Sequence, residues 1–304
     1  MYDSIRNPEN IKVFFAGTEV IAQSLSCKQA DVKYALWSCY SFIAKKLKLK
    51  CIPQIPKVSD EFALSMTQEA FRYSIMDSGI FTLMYGALGG KKDKKFLDVW
   101  YDEMVKLVSE NNIRSTLVEI DCQKVLGVNE AWEYRERLRK DLPNNRQINV
   151  FHLEDGRKGL DRLIEYTDYI AVGAPELRRS FGIGKYGEVI YRLVDHIKSR
   201  KPNIDIHLLG CTDKKILRRC RDCTSADSTS FLSAVKHGRF LTKRTNLIKK
   251  ELIKCEARDL DPSGVLRNEM GKELTPGMCK YIRTLAASAL FHKEFYSLYC
   301  GSQD

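Results

Sequence analysis

Apolar runs of four to seven residues alternate with longer amphipathic stretches through most of the chain, the pattern of strands alternating with helices. Ile11-Lys12-Val13-Phe14-Phe15-Ala16-Gly17 predicts the first strand, and 33–46, apolar at helical spacing, the first helix. A strand over 71–76 follows, then an amphipathic helix over 96–111 with Phe96, Leu97, Trp100, Met104, Leu107 and Val108 on one side. From there the rhythm is regular. Strands are expected over 115–121, 148–153, 169–174 and 204–210, and helices over 129–140, 159–166, 186–200 and 214–221. A last motif, Thr224 to Phe231, leads into a further helix over 231–237.

Crossovers long enough to hold a helix imply a parallel sheet. Polar or small residues end nearly every strand: Glu19, Asp77, Asp121, His152, Gly173, Gly210 and Asp227. A closed barrel gathers such ends on one face, whereas an open sheet spreads them along an edge. The expected fold is therefore α/β, a (β/α)8 TIM-type barrel with an elaborated basic C-terminal segment. One domain is expected over 1–304, with a barrel core at about 10–240 and an extension at about 240–304. A long helical run, 276–299, either completes the outer ring or forms an appendage.

Charge adds a partner. Fifty Lys and Arg against 39 Asp and Glu give +11, which favours an anionic partner. Seven bases against one acid, Glu251, fall between Lys236 and Lys254. Lys236, Arg239, Lys243 and Arg244 are the candidate nucleic-acid contacts, tracking phosphates just behind the last helix of the core. Ten cysteines in 304 residues are too dilute for a disulfide scaffold. With no signal-peptide pattern and no apolar run of membrane-spanning length, a reduced cytoplasmic setting is expected. Cys220-Arg221-Asp222-Cys223 is a lone C-x-x-C. Zinc would need two further ligands at suitable spacing, so no metal and no cofactor is expected.

The candidate chemistry rests on two Asp-Ser motifs 150 residues apart, Asp77-Ser78-Gly79-Ile80-Phe81 and Ala226-Asp227-Ser228-Thr229-Ser230-Phe231. Either aspartate could be a plain helix N-cap. Together with Asp121, His152-Leu153-Glu154-Asp155-Gly156 and Val172-Gly173-Ala174, they describe a pocket of carboxylates and glycines suited to a planar polar base.

In order and spacing these motifs resemble the tRNA-guanine transglycosylase superfamily between about residues 70 and 240. That family has an Asp-Ser-Gly-Gly-aromatic loop, here with Ile80 for the second glycine. Its Val-Gly-Gly turn corresponds to Val172-Gly173-Ala174, and its His-x-x-Gly strand to His207-Leu208-Leu209-Gly210. Beyond Asp227 this chain has only Cys255, Cys279 and Cys300, too scattered for the family's zinc site. It is thus most similar to the phage and bacterial branch that inserts 7-deazaguanines into DNA, a modification that evades restriction. The resemblance implies a pentosyltransferase with Asp227 as nucleophile and Asp77 as general acid/base. It further implies base-binding roles for Phe81, Asp121 and Gly173, and for His152 where the family usually has Gln. DNA and a free 7-deazaguanine base are the implied partners, in a host cytoplasm if the chain is phage-encoded. An accessory protein that presents DNA is conceivable. The alternatives are a tRNA-acting enzyme of the queuosine or archaeosine type, or a non-catalytic nucleic-acid-binding barrel.

Overall fold

A computed structural model describes residues 10–51, 53–85, 93–232 and 274–303. Eight parallel strands close in sequence order into a barrel, with the last bonded to the first. They are β1 Lys12–Ala16, β2 Tyr34–Ser38, β3 Tyr73–Asp77, β4 Thr116–Val118, β5 Gln147–Phe151, β6 Tyr169–Gly173, β7 Asp205–Leu209 and β8 Ser225–Ser228. Strand neighbours along the chain alternate inward and outward. Phe14, Ala16, Tyr34, Leu36, Ile75, Val118, Ile148, Val150, Tyr169 and Ala171 accordingly fill the barrel as one apolar plug. Each strand's opposite face packs on helices, which is why the strands read as nearly continuous apolar runs.

The described helices are α1 Ile21–Gln29, α2 Tyr40–Lys46, α3 Asp60–Glu69, α4 Ile80–Tyr85, α5 Lys94–Glu110, α6 Val128–Asp141, α7 Gly156–Tyr166, α8 Ala174–Phe181, α9 Tyr186–Arg200, α10 Lys214–Arg219 and α11 Pro276–Cys300. Helix α11 packs against α1 and α10, so the C-terminal run joins the outer ring. Its start is capped by Thr275, whose side chain accepts from the Met278 N–H, with Pro276 in the first turn. No described helix is long and apolar enough to cross a membrane.

The main departure from expectation lies at 33–46. Its first half is β2, and only Tyr40–Lys46 is helical. Leu36 faces the barrel plug while Trp37 packs on the outer layer. A strand buried on both faces loses its two-residue alternation and runs without a polar break into the next helix. Helices α1, α3, α4 and α8 were also not announced by the pattern. The helix expected over 231–237 begins at Ser230 and is described as far as Leu232; its remainder, and the basic stretch 236–254, lie outside the described residues.

A buried ion pair ties α6 to the barrel. Arg135 Nε and Nη2 donate to Glu119 Oε2 and Oε1 at 2.6 and 2.7 Å, with both side chains fully buried. Asn149 Nδ2 and the Val150 N–H complete the carboxylate's partners at 2.5 and 2.9 Å.

Candidate active site at the carboxyl ends of the strands

Strand direction places Asp77, Asp121, His152, Gly173, Leu209-Gly210 and Asp227 at one end of the barrel. Asp77 is the last residue of β3 and half-buried. The turn behind it is held from two sides. Cys39 N–H donates to the Asp77 carbonyl at 3.0 Å, and Trp100 Nε1 donates to the Ser78 carbonyl at 2.9 Å. Gly79 has φ +75°, and a Cβ there would lie 2.9 Å from Tyr40 Cβ, so this position requires glycine twice over. The Gly79 N–H donates to Asp77 Oδ1 at 3.3 Å.

Burial, followed by the charge of Asp121, pushes the Asp77 carboxyl up to about 7; Asp227 and Glu19 act in the same direction. Asp121, Asp227 and Glu19 are thus each close enough to act on the Asp77 carboxyl. Glu19, buried after β1, is likewise raised by burial, while its Oε2 accepts the Ser38 N–H at 3.2 Å.

Asp227 is not a helix cap. It sits within β8, where Oδ1 accepts the Gly210 N–H at 2.7 Å and contacts His207 Nε2 at 3.2 Å. His207 is fully buried on β7. Its Nδ1 lies 2.5 Å from Ser225 Oγ, which lies 2.5 Å from the Tyr169 hydroxyl. One proton arrangement satisfies this chain: Tyr169 donates to Ser225, Ser225 to His207 Nδ1, and His207 Nε2–H to Asp227. Among the described residues Asp227 Oδ2 has no hydrogen-bond partner, and the side chain keeps 12% exposure. The strand holds one carboxylate oxygen and leaves the other accessible. Gly210, at φ +60° and with a position for Cβ only 2.8 Å from Pro175, is free of the side chain that would keep its N–H from Asp227 Oδ1.

His152 was expected at the base edge. Both of its ring nitrogens are engaged, Nε2 with Asp121 Oδ2 at 3.2 Å and Nδ1 with Glu176 Oε2 at 2.9 Å. Burial opposes the imidazolium, but these two carboxylates outweigh it and push His152 up to about 10. Burial likewise opposes the Glu176 carboxylate, but His152 and Lys124, the latter at 2.7 Å, hold Glu176 down to about 2. The backbone of His152 is fixed as well, its N–H donating to Asp155 Oδ2 at 2.9 Å.

His152, Glu154 and Glu176 offer ligand atoms within 4.8 Å of one another. Lys124 Nζ lies 2.7 Å from Glu176 and 4.0 Å from Glu154, so one cation already stands among these carboxylates. Cys220 and Cys223 are buried thiols.

Gly173 ends β6, and a Cβ there would meet only Glu176, at 3.7 Å. Phe81, on α4, is 59% exposed at the rim. Lys236, Arg239, Lys243 and Arg244 lie outside the described residues. Within them, Tyr186, Asp213, the exposed Arg178, and Gly210, whose N–H holds Asp227, line a cavity of about 190 Å³. His207, Glu176 and Lys124 were not among the expected site residues. His207 stood in a recognised motif, whereas nothing in the sequence pairs Glu176 with a histidine 24 residues earlier.

No family model matches the chain, and no curated protein matches it. Among solved structures, the YdjI aldolase from Escherichia coli K12 superposes with a TM-score of 0.53 over 98% of this chain and 94% of that one, at 9% identity. A likeness at that identity shows a shared barrel fold.

Proposed function

We propose that this protein is a base-exchanging transglycosylase that replaces guanine in DNA by a 7-deazaguanine. The observation that carries this reading is the pairing of unlike carboxyls. Asp77 is half-protonated near neutrality, while Asp227 is aimed by Gly210 and His207 with one oxygen left open. Two carboxyl groups with opposed environments divide acid and nucleophile roles between them.

In the first half-reaction Asp227 Oδ2 bonds to C1′ of the target nucleoside as the C1′–N9 bond breaks. The bonding pair leaves with the guanine, which takes the proton from Asp77. A carboxylate suits this step because the transition state is oxocarbenium-like. In the second half-reaction the ionised Asp77 removes the N9 proton of the incoming base. That nitrogen then bonds to C1′, and the bond to Asp227 breaks. Asp121, oriented by the His152 imidazolium, keeps Oδ1 for N–H groups of the base, and Gly173 leaves room above the strand for a planar ring. The cavity lined by Arg178 and Gly210 would take a phosphate flanking the extruded nucleotide.

The test is incorporation of labelled guanine or a 7-deazaguanine into DNA and, in parallel, into unmodified tRNA. Label in DNA, abolished by Asp227→Asn with DNA binding retained, is the expected result. Label in tRNA alone would keep the chemistry and replace the substrate. Full activity in Asp227→Asn would overturn the mechanism, and no label in either polymer would favour a binding-only barrel.

A further inference from the structure

The opposite end of the barrel carries a feature that the proposed chemistry does not use. Arg72 stands immediately before β3, Arg114 two residues before β4, and Arg146 immediately before β5. These strands are neighbours, with Ile75 paired to Thr116 and Leu117 to Gln147, so the three arginines stand side by side at the amino-terminal rim. All three line a cavity of about 230 Å³ whose walls also include Phe14, Tyr73 and Tyr169.

The three charges are not equally compensated. Arg146 is paired with Asp205, lies 3.8 Å from Asp168 and stacks over Tyr169 at 4.5 Å. Arg72 is exposed and lies over the Tyr73 ring at 5.4 Å, and Arg114 is exposed. Among the described residues neither Arg72 nor Arg114 has a carboxylate partner. Guanidinium groups gathered at one concavity repel each other unless an anion lies between them. Their planar forks match a phosphate better than a point charge does. The partly exposed Tyr73, backed by Tyr34 at 5.7 Å, then offers ring surface to whatever the phosphate is attached to.

We infer that the amino-terminal end of the barrel binds a small organic phosphate monoester, its phosphate between Arg72 and Arg114 and its organic part against Tyr73. The site lies at the end of the barrel away from Asp77 and Asp227 and is independent of the transglycosylase reading.

Phenyl phosphate, which joins a flat ring to a phosphate, is the probe, titrated calorimetrically into the full chain. The unmodified protein is expected to bind it saturably and more tightly than inorganic phosphate, which leaves Tyr73 untouched. Arg72→Gln/Arg114→Gln changes only exposed side chains and should weaken binding by about tenfold or more. Absence of saturable binding would overturn the inference. Equal affinity in the double variant would also do so, placing the anion elsewhere, for example on the basic stretch 236–254. Equal affinity for the two probes would remove Tyr73 from the site.

Discussion

Replacing Glu176 by glutamine tests whether the carboxyl-end site is organised around a charged His152. The shift of His152 from 6.5 to about 10 corresponds to about 5 kcal/mol in favour of the folded imidazolium, at 1.36 kcal/mol per pH unit. The shift of Glu176 from 4.5 to about 2 corresponds to about 3 kcal/mol. Both figures include the same hydrogen bond, so they are not additive. The raised histidine contributes fully below pH 6.5, and its contribution fades as pH rises through about 10. The depressed glutamate contributes fully above pH 4.5 and fades as pH falls through about 2. Their joint contribution is therefore greatest between pH 4.5 and 6.5. Glu176→Gln removes one of two carboxylates and should lower the His152 value by about 1–3 pH units. The loss of unfolding free energy should be about 2–3 kcal/mol at pH 5.5 and distinctly smaller at pH 9.5. Histidine ring resonances followed by NMR titration, together with urea unfolding at both pH values, give the two readouts. A His152 that titrates near 6.5 in the unmodified protein, or that ignores the substitution, would refute this electrostatic account.

Two further outcomes follow from the same physics. Arg135→Met leaves Glu119 buried without its counter-charge and should destabilise the fold by about 3–5 kcal/mol in urea unfolding; Arg135→Met/Glu119→Gln should regain part of that, and no regain would mean that packing rather than charge dominates there. Asp77 is raised from 3.8 to about 7, so its folded form favours the proton and the fold loses stability as pH rises from about 4 through about 7. Asp77→Asn should therefore be more stable than the unmodified protein at pH 8, by up to about 4 kcal/mol, and little different at pH 4; a destabilised variant at pH 8 would place Asp77 among structural groups.

Much of the barrel was legible because parallel strands and their covering helices differ in length and period. Helix α9 spans the expected residues, and the polar strand ends do meet on one face. What failed was local pattern under full burial. Tyr34-Ala35-Leu36-Trp37 carries no polar alternation, because one face meets the plug and the other meets α2 and α5. The carboxylates could be found from sequence because acidic residues after apolar strands are conspicuous. Their partners could not. His152 reads as a hydrogen-bonding stand-in for an amide until Asp121 and Glu176, 31 residues before it and 24 after, are seen on its two nitrogens. The arginines before β3, β4 and β5 are equally ordinary in the sequence, and only strand register makes them neighbours.

Closure of the barrel by its last strand has a consequence for the timing of synthesis. Asp227 enters the site on β8, which pairs with β1 along Lys12 to Phe15. That seam is then covered by α11 against α1, and Gln303 reaches back to the Val13 N–H at 2.8 Å. A nascent chain that has exposed only β1 to β7 holds Glu19, Asp77 and Asp121 but lacks Asp227. Under the proposed chemistry, ribosome-bound intermediates and prematurely terminated products would lack the nucleophile. The group of carboxylates at this end of the barrel is completed in one late event, when β8 pairs with β1 and α11 packs on α1.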